Sequence, residues 1–149
     1  EYDVQVNEVL KETLSFLENE AHGNNIALNL QLDENLPTIR TEGSQVQQVL
    51  LNLIENALDA VGSDGQIDII TTRTKDELHV QIADNGPGIK PEVMKKLWEP
   101  FFTTKEPGKG TGLGLSICSD IAHKLGGTIT AENRPQGGAV FTLKLPLRG

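Results

Sequence analysis

The chain has 149 residues, a formal net charge of -8 and 37% apolar residues, which fits one domain that buries about 70% of its unfolded surface. The acidic balance excludes the basic surface needed to wrap a nucleic acid, and no stretch approaches the ~18 apolar residues of a membrane helix. The single cysteine, Cys118, excludes a disulfide within the chain and fits a reducing, cytoplasmic setting. The sequence lacks an initiator Met and reads as part of something longer.

Apolar residues at Val6, Val9, Leu10, Leu14 and Leu17 predict a helix over residues 5–22, stopped by Gly23-Asn-Asn25. Ile26–Leu32 alternates and predicts a strand, Asp33–Pro37 a turn, and Thr38–Thr41 a short strand. A long helix is expected over 44–61, with Val46, Val49, Leu50, Leu53, Ile54, Ala57 and Leu58 facing inward. Two strands follow at 66–74 and 77–84. Pro91 opens a short helix that reaches Leu97. After a glycine-rich loop comes a helix with Leu113, Ile117, Ile121 and Leu125 one per turn, ended by Gly126-Gly127. Strands at 128–132 and 138–145 close the chain. This order is not a regular strand–helix alternation. The adjacent hairpins imply an α/β (α+β) two-layer sandwich, a mixed and mostly antiparallel sheet with helices on one face.

Four segments stand out. Gly108-Lys-Gly-Thr-Gly-Leu-Gly-Leu115 alternates glycine with other residues, which disfavours both helix and strand. It is either a mobile surface loop or a phosphate loop feeding a helix N-terminus. It is neither a P-loop, because Gly110 follows Lys109, nor a dinucleotide fingerprint, because no strand precedes it. In the long helix, Gln45, Gln48, Asn52, Glu55, Asn56 and Asp59 form a polar stripe. A solvated face accounts for it, as does a pair of stacked asparagines offering oxygen to a phosphate-bound Mg²⁺. Leu78, Val80 and Ile82 share the parity of Asp84, so a carboxylate continues a core-facing row where a strand ends. A simple Asp-Asn-Gly turn is the plainer alternative to a buried acceptor for a ligand amine. Finally, Trp98-Glu-Pro-Phe-Phe-Thr-Thr-Lys105 concentrates aromatics that either plug the core or seat a lid carrying Lys105 and Lys109.

Together these segments resemble the catalytic, ATP-binding domain of bacterial sensor histidine kinases, of the Bergerat or GHKL type. The order matches over nearly the whole chain: an asparagine box (Asn52–Ala60), a first glycine box (Asp84–Gly88), a phenylalanine box (Pro100–Thr104) and a second glycine box (Gly110–Gly114). The wording of Glu99–Lys105 looks most like nitrogen-regulation and dicarboxylate-sensing kinases. The resemblance implies Mg²⁺ and ATP as cofactors. Asp84 would accept from the adenine amine, Gly86, Gly88 and Ile89 would shape the base pocket, and Asn56 would ligate Mg²⁺ with Asn52 beside the phosphates. Phe101 and Phe102 would seat a lid, Thr103 and Thr104 would line the nucleotide site, Lys105 would reach the γ-phosphate, and Gly110, Thr111, Gly112, Leu113, Gly114 and Leu115 would hold the phosphates at the helix start. Residues 106–111 would be the least ordered interior segment without nucleotide.

The resemblance also implies departures and partners. Many relatives carry a basic residue where this chain has Asp59. ATP hydrolases of the same fold, and the anti-sigma kinases, place Glu where this chain has Asn52, which cannot take a proton from water. The alternatives are a hydrolase of this fold or a non-catalytic nucleotide-binding module. None of His22, His79 and His123 suits a phosphoacceptor. The expected partner is therefore a histidine-bearing dimerisation domain of the same protein, joined through residues 1–5, with residues 6–149 as the catalytic domain. A response regulator follows indirectly. The isolated domain is expected to be monomeric, its parent homodimeric.

Overall fold

The computed structural model describes residues 2–100, 102 and 114–147. The elements are β1 (Tyr2–Val4), α1 (Val6–Gly23), β2 (Ile26–Gln31), β3 (Ile39–Thr41), α2 (Gly43–Val61), β4 (Gly65–Arg73), β5 (Glu77–Asp84), α3 (Pro91–Met94), α4 (Gly114–Lys124), β6 (Thr128–Asn133) and β7 (Ala139–Pro146). A five-stranded sheet runs β2-β4-β5-β7-β6, and β1 pairs with β3 in a separate two-stranded ribbon. Among the described residues, the β2–β4 pairing is parallel and the β4–β5, β5–β7 and β6–β7 pairings are antiparallel. The sequence-based architecture holds: a mixed sheet with helices on one face.

The core lies between that face and three helices. α2 packs between α1 and α4 and crosses β4 and β5. Its inward row, Val46, Val49, Leu50, Leu53, Ile54, Ala57 and Leu58, is almost wholly buried. Each of its large side chains contributes about 1.5–3 kcal/mol by leaving water. The facing sheet supplies Ile67 and Ile69 from β4, Leu78, Val80 and Ile82 from β5, and Phe141, Leu143 and Leu145 from β7. Register puts like with like: Val80 lies opposite Leu143, and Ile82 opposite Phe141.

Polar groups seal the edges. Gln5 caps α1 through the Asn7 amide (3.1 Å) and donates to the Leu36 carbonyl (2.8 Å). Asn7 donates to the Asp33 carbonyl (2.8 Å) and accepts from Thr71 (3.0 Å), whose hydroxyl accepts from the Asp33 amide (2.9 Å). This closed chain ties α1, β4 and the β2–β3 connection, so the buried polar atoms there are satisfied.

Three expectations need revision. β1 is an added element, carried by its pairing with β3 and by the burial of Val4. The short helix ends at Met94; turns continue through Trp98 instead. On α4, Ile117 faces solvent, and Cys118, Ile121 and Ala122 form the buried row. Small Cys118 and Ala122 let α4 approach α2 closely, and that packing overrides the one-per-turn row of branched residues. No described helix is long and apolar enough to cross a membrane.

Candidate active site

The described site residues converge at one end of the sheet, where β5 stops. The core-facing parity of β5 carries through to Asp84, which is 2% exposed. A carboxylate so placed needs donors. Asp84 Oδ1 accepts from the Gly86 amide (2.9 Å) and from the Ala139 amide (3.3 Å) at the start of β7. Both bonds fall on one oxygen, which leaves Oδ2 for another donor.

The loop after Asp84 presses against the last turn of α2. A Cβ at Gly86 would lie 2.9 Å from the Ala60 carbonyl oxygen and 3.1 Å from Asp84 Oδ1. Asn52, Asn56 and Ala60 are spaced four apart and run up one side of α2 toward that contact. Asn52 and Asn56 are both half-buried, whereas Glu55, Asp59 and Gln48 are exposed. The polar stripe thus divides into a solvated part and an asparagine pair that ends beside the Asp84 loop. Among the described residues no cluster of three or more His, Cys, Asp or Glu side chains forms a metal cage. An asparagine oxygen on α2 fits a cation that brings phosphate and water oxygens with it, as Mg²⁺ does.

Asn52 also touches α4. Its amide hydrogen-bonds Cys118, whose thiol lies 3.9 Å from the Val49 carbonyl. Burial pushes the Cys118 thiol up to about 11, a rise that the Asn52 bond partly offsets. This thiol is a packing group, not a nucleophile.

Three residues at the far side of the loop were not anticipated as part of the site. Asn133, ending β6, accepts from the Ile89 amide (2.7 Å) and donates to the Ile89 carbonyl (2.8 Å). Arg134 donates to the Asp84 carbonyl (2.9 Å). Gly138, at φ +90°, abuts the Asp84 carbonyl so closely that a Cβ there would overlap it. Gly88 is likewise left-handed, at φ +83°, with Asn133 Oδ1 against it. The Asn-Arg-Pro-Gln-Gly-Gly run reads in sequence as a connecting turn. Its doubled glycine was the one local sign of a close backbone approach.

Of the aromatic segment, Trp98 stacks edge-on against Phe141 of β7, with centroids 6.1 Å apart and planes at 79°. Phe102 is half-buried and its amide bonds the Glu99 carbonyl (3.3 Å). Trp98 therefore packs, partly buried, against the edge of the core. Gly114 opens α4 in an exposed position and Leu115 is half-buried behind it. Phe101, Thr103, Thr104, Lys105, Lys109, Gly110, Thr111, Gly112 and Leu113 lie outside the described residues, as does the 106–111 segment expected to be least ordered.

The profile of the histidine kinase-, DNA gyrase B- and HSP90-like ATPase family matches residues 41–149. The chain belongs to that family. Within it, the likeness is to sensor histidine kinases. The chain is 37% identical to the sensor histidine kinase ZraS of Klebsiella oxytoca over 98% of its own length and 31% of that protein. It is 34% identical to sporulation kinase A of Bacillus subtilis over 96% of its own length and 23% of that protein. The chain thus spans a third or less of these curated relatives. Among solved structures, the catalytic domain of histidine kinase ThkA superposes with a TM-score of 0.90 at 34% identity, covering 99% of this chain and 98% of that one. A second ThkA structure, in complex with the response regulator TrrA, gives 0.85 at 32% identity over 98% of this chain and 41% of that one. This is the ATP-binding catalytic domain of a sensor histidine kinase.

Proposed function

We propose that this histidine kinase domain holds Mg²⁺-ATP with its adenine at Asp84 and passes the γ-phosphoryl group to a histidine on a separate dimerisation domain of the same protein. The observation that carries this reading is the buried Asp84 carboxylate, fixed by two backbone amides on Oδ1 with Oδ2 left to accept from an exocyclic amine. Asn56 would hold Mg²⁺, which when bound neutralises phosphate charge, and Asn52 would lie beside the phosphates. Transfer then asks for positioning: a histidine ring nitrogen bonds the γ-phosphorus as the bond to the leaving oxygen breaks and ADP departs. Asn52 supports transfer over hydrolysis, because a neutral amide cannot deprotonate water. Lys105 would reach the γ-phosphate and the second glycine box the remaining phosphates. Residues 1–5 would lead to the dimerisation domain, and a response regulator would take the phosphoryl group afterwards.

The test mixes this domain with a separate histidine-bearing dimerisation domain and γ-labelled ATP. Label in an acid-labile, alkali-stable phosphohistidine is expected. Steady release of labelled phosphate, independent of the acceptor, would instead make the domain a hydrolase. Asp84→Asn should abolish ATP binding in calorimetry, and unchanged affinity would remove Asp84 from the adenine site. Asn56→Asp should weaken nucleotide binding in Mg²⁺ specifically, and normal Mg²⁺-ATP binding would refute the metal role.

A further inference from the structure

The turn joining β6 to β7 makes more contact with the Asp84 loop than a connection requires. Asn133 grips both backbone groups of Ile89, at 2.7 and 2.8 Å. Arg134 donates through Nη1 to the Asp84 carbonyl at 2.9 Å. The rest of its guanidinium is occupied by Gln136, whose amide oxygen, turned toward it, accepts from Nε at 3.2 Å and Nη2 at 2.8 Å. The turn itself is closed by Arg134 and Gly138 (2.8 Å) and by Gly137 and Arg134 (3.0 Å). Immediately after it, the Ala139 amide bonds Asp84 Oδ1. One short segment thus fixes Asp84 at its carbonyl and its carboxylate, and the loop beyond Asp84 at Ile89.

We infer that Arg134 and Asn133 are positioning residues that set how strictly the pocket demands a purine bearing an exocyclic amine. The inference rests on the adenine role proposed for Asp84. An amine and a carboxylate gain their charge-assisted bond only over a narrow range of distance and angle. Asp84 is the last residue of β5: β4 still pairs with it through Ile67, but the β5–β7 pairing ends one residue earlier, at Ala83 and Val140. On that side the turn supplies the restraint from 50 residues away. Loosening it costs the amine contact first, because ring stacking and phosphate contacts tolerate small shifts that a directional hydrogen bond does not.

The discriminating measurement compares two nucleotides on the 149-residue chain: ATP, and purine riboside triphosphate, which lacks the 6-amine. In the unaltered domain ATP should bind at least about tenfold more tightly, the scale of one charge-assisted hydrogen bond. Arg134→Met and Asn133→Ala should each shrink that ratio by about fivefold while changing affinity for the amine-free nucleotide by less than about twofold. Arg134→Lys keeps a donor of similar reach and should restore the ratio at least in part. Equal weakening of both nucleotides would reduce the turn to a structural role and overturn the inference, as would a ratio that survives in both variants. If the unaltered domain shows no preference, the Asp84 reading falls and this inference with it. Should Arg134→Met melt below the assay temperature, Asn133→Ala, which leaves the guanidinium contacts in place, carries the same comparison.

Discussion

Gly86 sits where two backbones meet, with the Ala60 carbonyl on one side and the Asp84 carboxylate on the other. A methyl group there has no room, so Gly86→Ala should displace the loop from α2. Nucleotide affinity should fall by about tenfold or more, with a destabilisation of about 1–3 kcal/mol typical of overpacking; calorimetry and urea unfolding measure the two. Cys118 offers a pH test. Its folded value, about 11, stands above the ordinary 9.0. The native state therefore holds the thiol proton more tightly, and the resulting stability is intact below about pH 9 and lost as pH rises toward 11. Unfolding free energies of the unaltered chain should decline over that window relative to Cys118→Ala; parallel curves would show that burial does not retain the proton. At this scale the sequence was uneven. Asp84 was legible because strand parity is local: the neighbours at 78, 80 and 82 announce which way it points. Arg134 was not, because its partner lies 50 residues away and the nearby doubled glycine signals a close approach without saying to what.

Among the elements, α4 shows where periodicity misleads. Leu113, Ile117, Ile121 and Leu125 recur at helical spacing, yet Ile117 is 37% exposed while Cys118 is fully buried. Hydrophobicity alone ranks isoleucine above cysteine. Packing against α2 ranks them the other way, since a small side chain shortens the distance between helices. Ile117→Lys should then change stability by no more than about 0.5 kcal/mol, as surface substitutions do, and Ile121→Lys should cost more than about 3 kcal/mol. Urea unfolding of the two variants settles the helix orientation; a similar loss in both would restore the simple periodic picture. α1, α2 and the β4–β5 hairpin were legible to within a residue or so at each boundary, because long apolar rows and clear breakers bound them. β1 was missed because three residues carry no period, and its partner β3 lies beyond α1 and β2.

For the molecule as a whole, bound nucleotide should act on stability by mass action. ATP with Mg²⁺ at about 100 times its dissociation constant should add roughly 2.7 kcal/mol, a rise of about 5–10 °C in melting temperature for a chain of this size. A melting curve unmoved by ATP would point to a fold that has lost its ligand. The sheet order, finally, has a bearing on how the domain assembles. β5 is central, and its two neighbours come from different distances along the chain: β4 across a three-residue turn, β7 from 55 positions later at the Asp84–Ala139 bond. Closing the short turn costs little entropy, whereas recruiting β7 costs more and comes later. The hairpin can therefore form while the end of β5 still lacks the amide that orients its carboxylate. With the adenine role proposed for Asp84, competence to bind nucleotide should be gained last in refolding, so a fluorescent ATP analogue should report recovery after far-ultraviolet circular dichroism does. Nucleotide present during refolding should slow unfolding without hastening folding, since its site is absent from the barrier.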